Sequence, residues 1–144
     1  FEVLFSSRHG LFSWTPVTLL SLVGLFFFER RGLALMFLLI IVLEVYVCSI
    51  TSDWWGGSSF GQRRLIGLIP IMCIGFASLA HHIKNMKFRR SIYFLSILLV
   101  FWNFVFIIQY RLGFIETNNY LTFKEMVTDK FNLPFAIVNK LTNK

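Results

Sequence analysis

Charge is scarce in this chain, and acid is the scarcest. Only 15% of its 144 residues are Asp, Glu, Lys or Arg, and 7 of them are acidic. A soluble domain carries about a quarter of its residues as charges. Cysteine is nearly missing as well. Cys48 and Cys73 both lie inside apolar runs without metal-ligand spacing, which excludes a disulfide-stapled secreted domain. No G-x-x-x-x-G-K-[ST] loop occurs, so a nucleotide-phosphate site of that kind is excluded. There is no internal repeat and no low-complexity tract. No basic segment precedes a short apolar core in the manner of a signal peptide. The first residue is Phe1, and the chain reads as a piece of something longer or a processed product.

Apolar side chain is abundant. Hydrophobic residues make up 56%, with 18 Phe among them, and the mean hydropathy is +0.69. A core of this size cannot hide that much apolar surface. A soluble globular enzyme and a disordered chain are both excluded. The 14 Lys and Arg against 7 acids give +7. In a membrane protein such an excess reports topology and lipid headgroups, so membrane lipids rather than nucleic acid are the expected partners.

A helix needs about 20 mostly apolar residues to cross a bilayer. Four stretches come close: Leu11–Phe28, Gly32–Ile50, Leu65–Ala80 and Ser91–Tyr110. The expected fold class is therefore an all-α integral membrane protein, with four transmembrane helices over residues 1–110 and a short amphipathic helical tail over 111–144. Pro16 suits a helix start, whereas Pro70 is expected to kink the third span. In the tail, Thr122-x-x-Glu125 reads as a capping box. Met126, Val127 and Phe131 would share one face, Pro134 would stop the helix, and Phe135–Leu141 would form a second. The charges do not orient the bundle. Arg30, Arg31, Lys84, Lys87, Arg89 and Arg90 lie on one side, and Arg8, Arg63, Arg64, Arg111, Lys124 and Lys130 on the other, in equal numbers. The shorter loops of the first side favour it as cytoplasmic.

The most unusual stretch is Asp53-Trp54-Trp55-Gly56-Gly57-Ser58-Ser59-Phe60-Gly61-Gln62-Arg63-Arg64. Its glycines open backbone conformations closed to other residues. Ser58 or Ser59 would cap the third span. A helix start attracts anions, and the paired guanidinium groups of Arg63 and Arg64 match a phosphate. Trp54 and Trp55 suit either a sugar face or the headgroup layer. Arg8 and His9, just ahead of the first span, are second candidates for the same anion. Glu44 is the one carboxylate inside a span, at a cost of roughly 2.5–3.5 kcal/mol. It should face a partner or a wet cavity, or be protonated. Asn103 and Gln109 read as interhelical hydrogen-bonding groups, and Tyr93, Phe94, Phe101, Trp102, Phe104 and Phe106 as lipid-facing or packing surface. His81 and His82 are adjacent and do not share a helix face, so no metal is expected there, and no cofactor.

The motifs SSRHGLFSWTP ahead of one span and WWGGSSFGQRRLI opening another, with the tail RLGFIETNNYLTFKEMVTDKFNLP, resemble the C-terminal membrane region of bacterial GT-C type glycosyltransferases. These enzymes are similar to dolichyl-phosphate-mannose protein mannosyltransferases and aminoarabinose transferases. The resemblance implies a polyprenyl-phosphate-linked sugar donor, the bacterial inner membrane, and an extracytoplasmic loop Thr51–Arg64. It also implies a donor-phosphate site at Arg63, Arg64, Arg8 and His9, with Trp54, Trp55, Gly57, Ser58, Ser59 and Gln62 contacting the sugar or shaping the loop. The family's catalytic acid sits in an early extracytoplasmic loop of a much longer chain and has no match here; Asp53 is not expected to replace it. The chain thus reads as a glycosyltransferase fragment whose partner is the remaining N-terminal part of its parent. The rival reading is a non-catalytic polytopic protein, such as a small transporter or channel subunit, with Glu44 as its coupling group.

Overall fold

The computed structural model describes residues 1–57, 60–115 and 119–142, with the side chains of 136, 137 and 139–141 also left aside. The fold is all-helical among the described residues. Short helices α1 (Glu2–Phe5), α2 (Leu11–Trp14) and α3 (Val17–Leu25) lead into α4 (Arg31–Ile50). A 3₁₀ segment, Arg63–Leu68, runs into α5 (Ile69–His82), and α6 (Met86–Arg111) follows. The tail holds a π-helical turn at Lys124–Thr128, then α7 (Asp129–Phe131) and α8 (Leu133–Thr142).

Three helices are long and apolar enough to cross a bilayer: Arg31–Ile50, Arg63–His82 and Met86–Arg111. They coincide with the second, third and fourth expected spans and point to a membrane protein. The first expected span, Leu11–Phe28, differs. It is not one helix but two, divided at Thr15, whose φ is −131° and ψ 67°. The cause is Pro16, which disfavours helical geometry in the residue before it. The remaining α3 has 9 residues and is only about 13 Å long. Pro70 also falls elsewhere than expected. It occupies the first turn of α5, where its missing N–H breaks no bond, and the non-helical geometry lies earlier, at Leu65.

α3 lies directly on α5. Their axes approach so closely that a Cβ on Gly24 would run into the Gly75 carbonyl, and one on Gly75 into the Ser21 carbonyl. Val3, Leu25, Ile41, Cys48, Leu65, Leu68, Ile71 and Met72 form one buried cluster around this crossing. A second cluster gathers Trp14, Phe106, Ile115 and Leu121, with Phe60, Tyr110 and Met126 against it. It ties α2, the Gly-rich loop, α6 and the tail together at one end.

The tail's capping box is present. Glu125 Oε2 accepts from the Thr122 N–H and hydroxyl, both at 2.7 Å, while the Glu125 N–H donates to Thr122 Oγ1 at 3.4 Å. Pro134 opens α8 rather than ending the helix before it. The bonds from Thr122 hold the Glu125 carboxyl below its ordinary pKa. A carboxylate favoured by the fold stabilises it in full above the ordinary value of 4.5 and loses that contribution as pH falls through the lowered one. Acidification from pH 6 to pH 3 should therefore fray the tail helix, seen as lower amide protection factors (exchange relative to the intrinsic rate at each pH) over residues 123–128. Thr122→Ala should loosen the same turn at neutral pH by about 1 kcal/mol. Unchanged exchange in that variant would show that the box contributes nothing.

The aromatic surface of α6 is divided. Phe94, Phe101 and Phe104 are exposed, but Phe106 is buried. Lys130 of α7 reaches back so that its Nζ lies 4.0 Å from the ring centres of both Trp102 and Phe106. Burial pulls its pKa down from 10.5 to about 8, while the two ring faces favour the charged form. The tail is thus pinned to α6.

Candidate functional site

The chain leaves α4 at Thr51, turns through 53–57 and re-enters a helix at Arg63. Two consecutive glycines make this turn possible: Gly56 and Gly57 have φ of 76° and 71°, the left-handed region that side chains disfavour. The Gly56 N–H closes the turn on the Asp53 carbonyl at 2.8 Å. Gln62 fastens the far limb. It is buried, and its Nε2 donates to the Trp54 carbonyl at 2.9 Å. Its Oε1 is enclosed without a hydrogen-bond donor among the described residues. Ser58 and Ser59, the expected caps, lie outside the described residues.

The two arginines have different environments. Arg64 pairs with the Asp53 carboxylate at 2.5 Å, and its Nε donates to the Asp53 carbonyl at 3.2 Å. Arg63 is exposed. Its guanidinium forms no hydrogen bond or ion pair among the described residues. Asp53, which the sequence offers only as a weak substitute for a catalytic acid, is the group that orients Arg64. The signal for this was the short return of the chain across a glycine-rich turn. An exposed pair of this kind contributes little stability, roughly 0–1 kcal/mol, so its effect is on geometry.

The N-terminal motif meets this loop. The Arg8 guanidinium lies over the Trp55 ring at 3.9 Å and faces Tyr120 of the tail at 5.9 Å. Arg8 and the Gly-rich loop therefore occupy one end of the molecule, not opposite flanks. One face of Trp55 is covered by Arg8. Trp54 stands edge-on to Trp55 and packs partly into the core. His9 differs from an exposed juxtamembrane histidine: it is fully buried, adopts φ 62°, and stacks on Trp14 at 4.6 Å. It shapes the wall behind Arg8. Tyr120 lies in the tail motif but has no site role legible in the sequence, and it comes to Arg8 only through tertiary folding.

Beside this cationic end an apolar groove of about 530 Å³ runs between α3, α5 and α6. Leu11 and Leu65 line it near the two loops, and Met72, Phe76, Ser96 and Val100 line it further along. Its Leu65 wall begins one residue after Arg64. Glu44 lies elsewhere. It is exposed at the margin of the buried stripe of α4, flanked by Ile40, Leu43 and Val47, and not between helices. Asn103 is interhelical as expected, donating to the Trp14 carbonyl. Gln109 also bonds between helical segments, its Nε2 3.5 Å from the Glu125 carbonyl in the π-helical turn of the tail. His81 sits 3.8 Å from Glu29, and His82 stacks on Phe27. Among the described residues no cluster of His, Cys, Asp and Glu has the makings of a metal site.

Comparison with known proteins returned no matching family model, no matching curated protein and no matching solved structure.

Proposed function

We propose that this chain is the donor-binding membrane portion of a glycosyltransferase that uses a polyprenyl-phosphate-linked sugar. The observation that carries the reading is the meeting of Arg8 with the Trp55 loop beside an apolar groove. A lipid-borne phosphate has an anionic head and a long apolar tail. Arg63 offers an exposed fork for the head, Arg64 is oriented next to it by Asp53, and Arg8 adds positive charge from the N-terminal side. The groove offers a dry surface for the first isoprene units. Preorganised guanidinium groups would act most strongly as the carrier phosphate leaves, when its charge is greatest.

In this reading Leu11–Phe28 completes a fourth crossing in two helical pieces, the Thr51–Arg64 loop faces the extracytoplasmic side of a bacterial inner membrane, and the base for transfer comes from elsewhere in the parent enzyme. Trp54 and Trp55 meet the sugar, Gly57 and Gln62 shape the loop behind them, and His9 backs Arg8.

The test is binding of polyprenyl phosphate to the protein in lipid nanodiscs, with polyprenol as the uncharged control. A hydrogen bond to a charged group is worth roughly 1.5–3 kcal/mol, so Arg63→Ala should weaken phosphate binding by about tenfold or more and leave polyprenol binding unchanged. Arg63→Lys should recover only part, since an ammonium lacks the planar fork. The Arg63→Ala, Arg64→Ala double variant binding as tightly as the parent would remove the phosphate role.

A further inference from the structure

Glu44 is a charge on the wrong surface for a helix with lipid around it. It lies about 9 Å in from the Ile50 end of α4 and about 20 Å from Arg31, so it is deep in the apolar stretch and its short side chain cannot reach a headgroup. Leu43 and Val47 beside it are 51% and 59% exposed. The carboxyl makes no hydrogen bond or ion pair among the described residues. The buried stripe of the helix, Ala34, Ile41 and Cys48, turns toward the core and leaves Glu44 at its margin.

An ionisable group at that depth is costly in hydrocarbon unless a donor meets it. A second copy of this chain does not offer a cation there. The Lys and Arg of the three long helices all lie near helix ends: Arg31, Arg63, Arg64, Lys87, Arg89, Arg90 and Arg111. The geometry points to the Glu44 face of α4 as a docking surface for a transmembrane helix from outside this chain, one that carries arginine or lysine at the matching depth. Charge complementarity selects the partner, and the apolar flanks supply ordinary helix packing. This surface is separate from the cationic end and stands or falls independently of the sugar-transfer reading.

The test uses the full chain, donor-labelled, in phosphatidylcholine vesicles. The probe is an acceptor-labelled leucine–alanine transmembrane peptide with a single arginine about six residues from the end that aligns with Ile50. Energy transfer should show at least tenfold tighter association with this peptide than with its arginine-to-leucine counterpart. Glu44→Leu should abolish that preference, and Glu44→Gln, which keeps shape and hydrogen bonding, should retain part of it. The peptide swap needs no change in the protein, so a variant that folds poorly does not blunt the test. Equal association of the two peptides would overturn the proposal. So would a preference that survives Glu44→Leu, or self-association of the labelled chain that depends on Glu44.

Discussion

Trp14→Ala is expected to destabilise the loop-bearing end of the molecule by about 3–5 kcal/mol, the usual cost of emptying a buried aromatic site. Trp14 is 1% exposed. Its ring stacks on His9 and meets Phe60 and Phe106 at 5.1 and 4.5 Å. Its indole N–H donates to the Ser7 carbonyl at 2.9 Å, and its own carbonyl accepts from Asn103 of α6. One residue thus joins the N-terminal motif, the Gly-rich loop and the last long helix. Its loss should lower the unfolding midpoint in mild detergent and weaken polyprenyl phosphate binding, although no cation has been removed. Trp14→Phe keeps most of the packing and gives up one hydrogen bond, for a loss nearer 1 kcal/mol. A Trp14→Ala protein that melts with the parent would show that the loops are held by other contacts.

The second large effect is expected at the α3–α5 crossing. Gly24→Ala and Gly75→Ala each place a methyl group against a backbone carbonyl of the other helix. A flexible side chain would swing aside, but a helical carbonyl moves only with its helix. Overpacking of this kind costs typically 1–3 kcal/mol, and here the helices must separate along their closest contact. Each single variant should lower the thermal midpoint. The double variant should fall short of the sum, because the first methyl already opens the gap the second needs. Gly32 provides the control: a Cβ there meets nothing within 4 Å, so Gly32→Ala should be neutral or slightly stabilising. Equal midpoints for all four proteins would mean that α3 does not dock on α5.

The features legible in the sequence are those fixed by neighbouring residues. Predominantly apolar composition marks α4, α5 and α6, because each helix satisfies its own backbone and meets lipid with its own side chains. The capping box at Thr122 and Glu125 is readable for the same reason, since both partners lie within one turn. The glycine-rich elbow and its paired arginines are equally local. Hydropathy reads Leu11–Phe28 as one span because it averages over the window, whereas the break at Thr15 follows from a single proline ring.

What tertiary structure decides is which distant groups meet. The sequence cannot say that Arg8 lands on Trp55, that Lys130 enters between Trp102 and Phe106, that His9 is buried or that Glu44 faces outward. Each depends on the rotation and spacing of helices far apart in the chain. Those are set by the close approach of Gly24 to Gly75 and by the shapes packed around Trp14. Composition made the chain apolar and helical through forces that add up residue by residue. The meeting of Arg8 with the Trp55 loop came from packing, where a single methyl group changes the outcome.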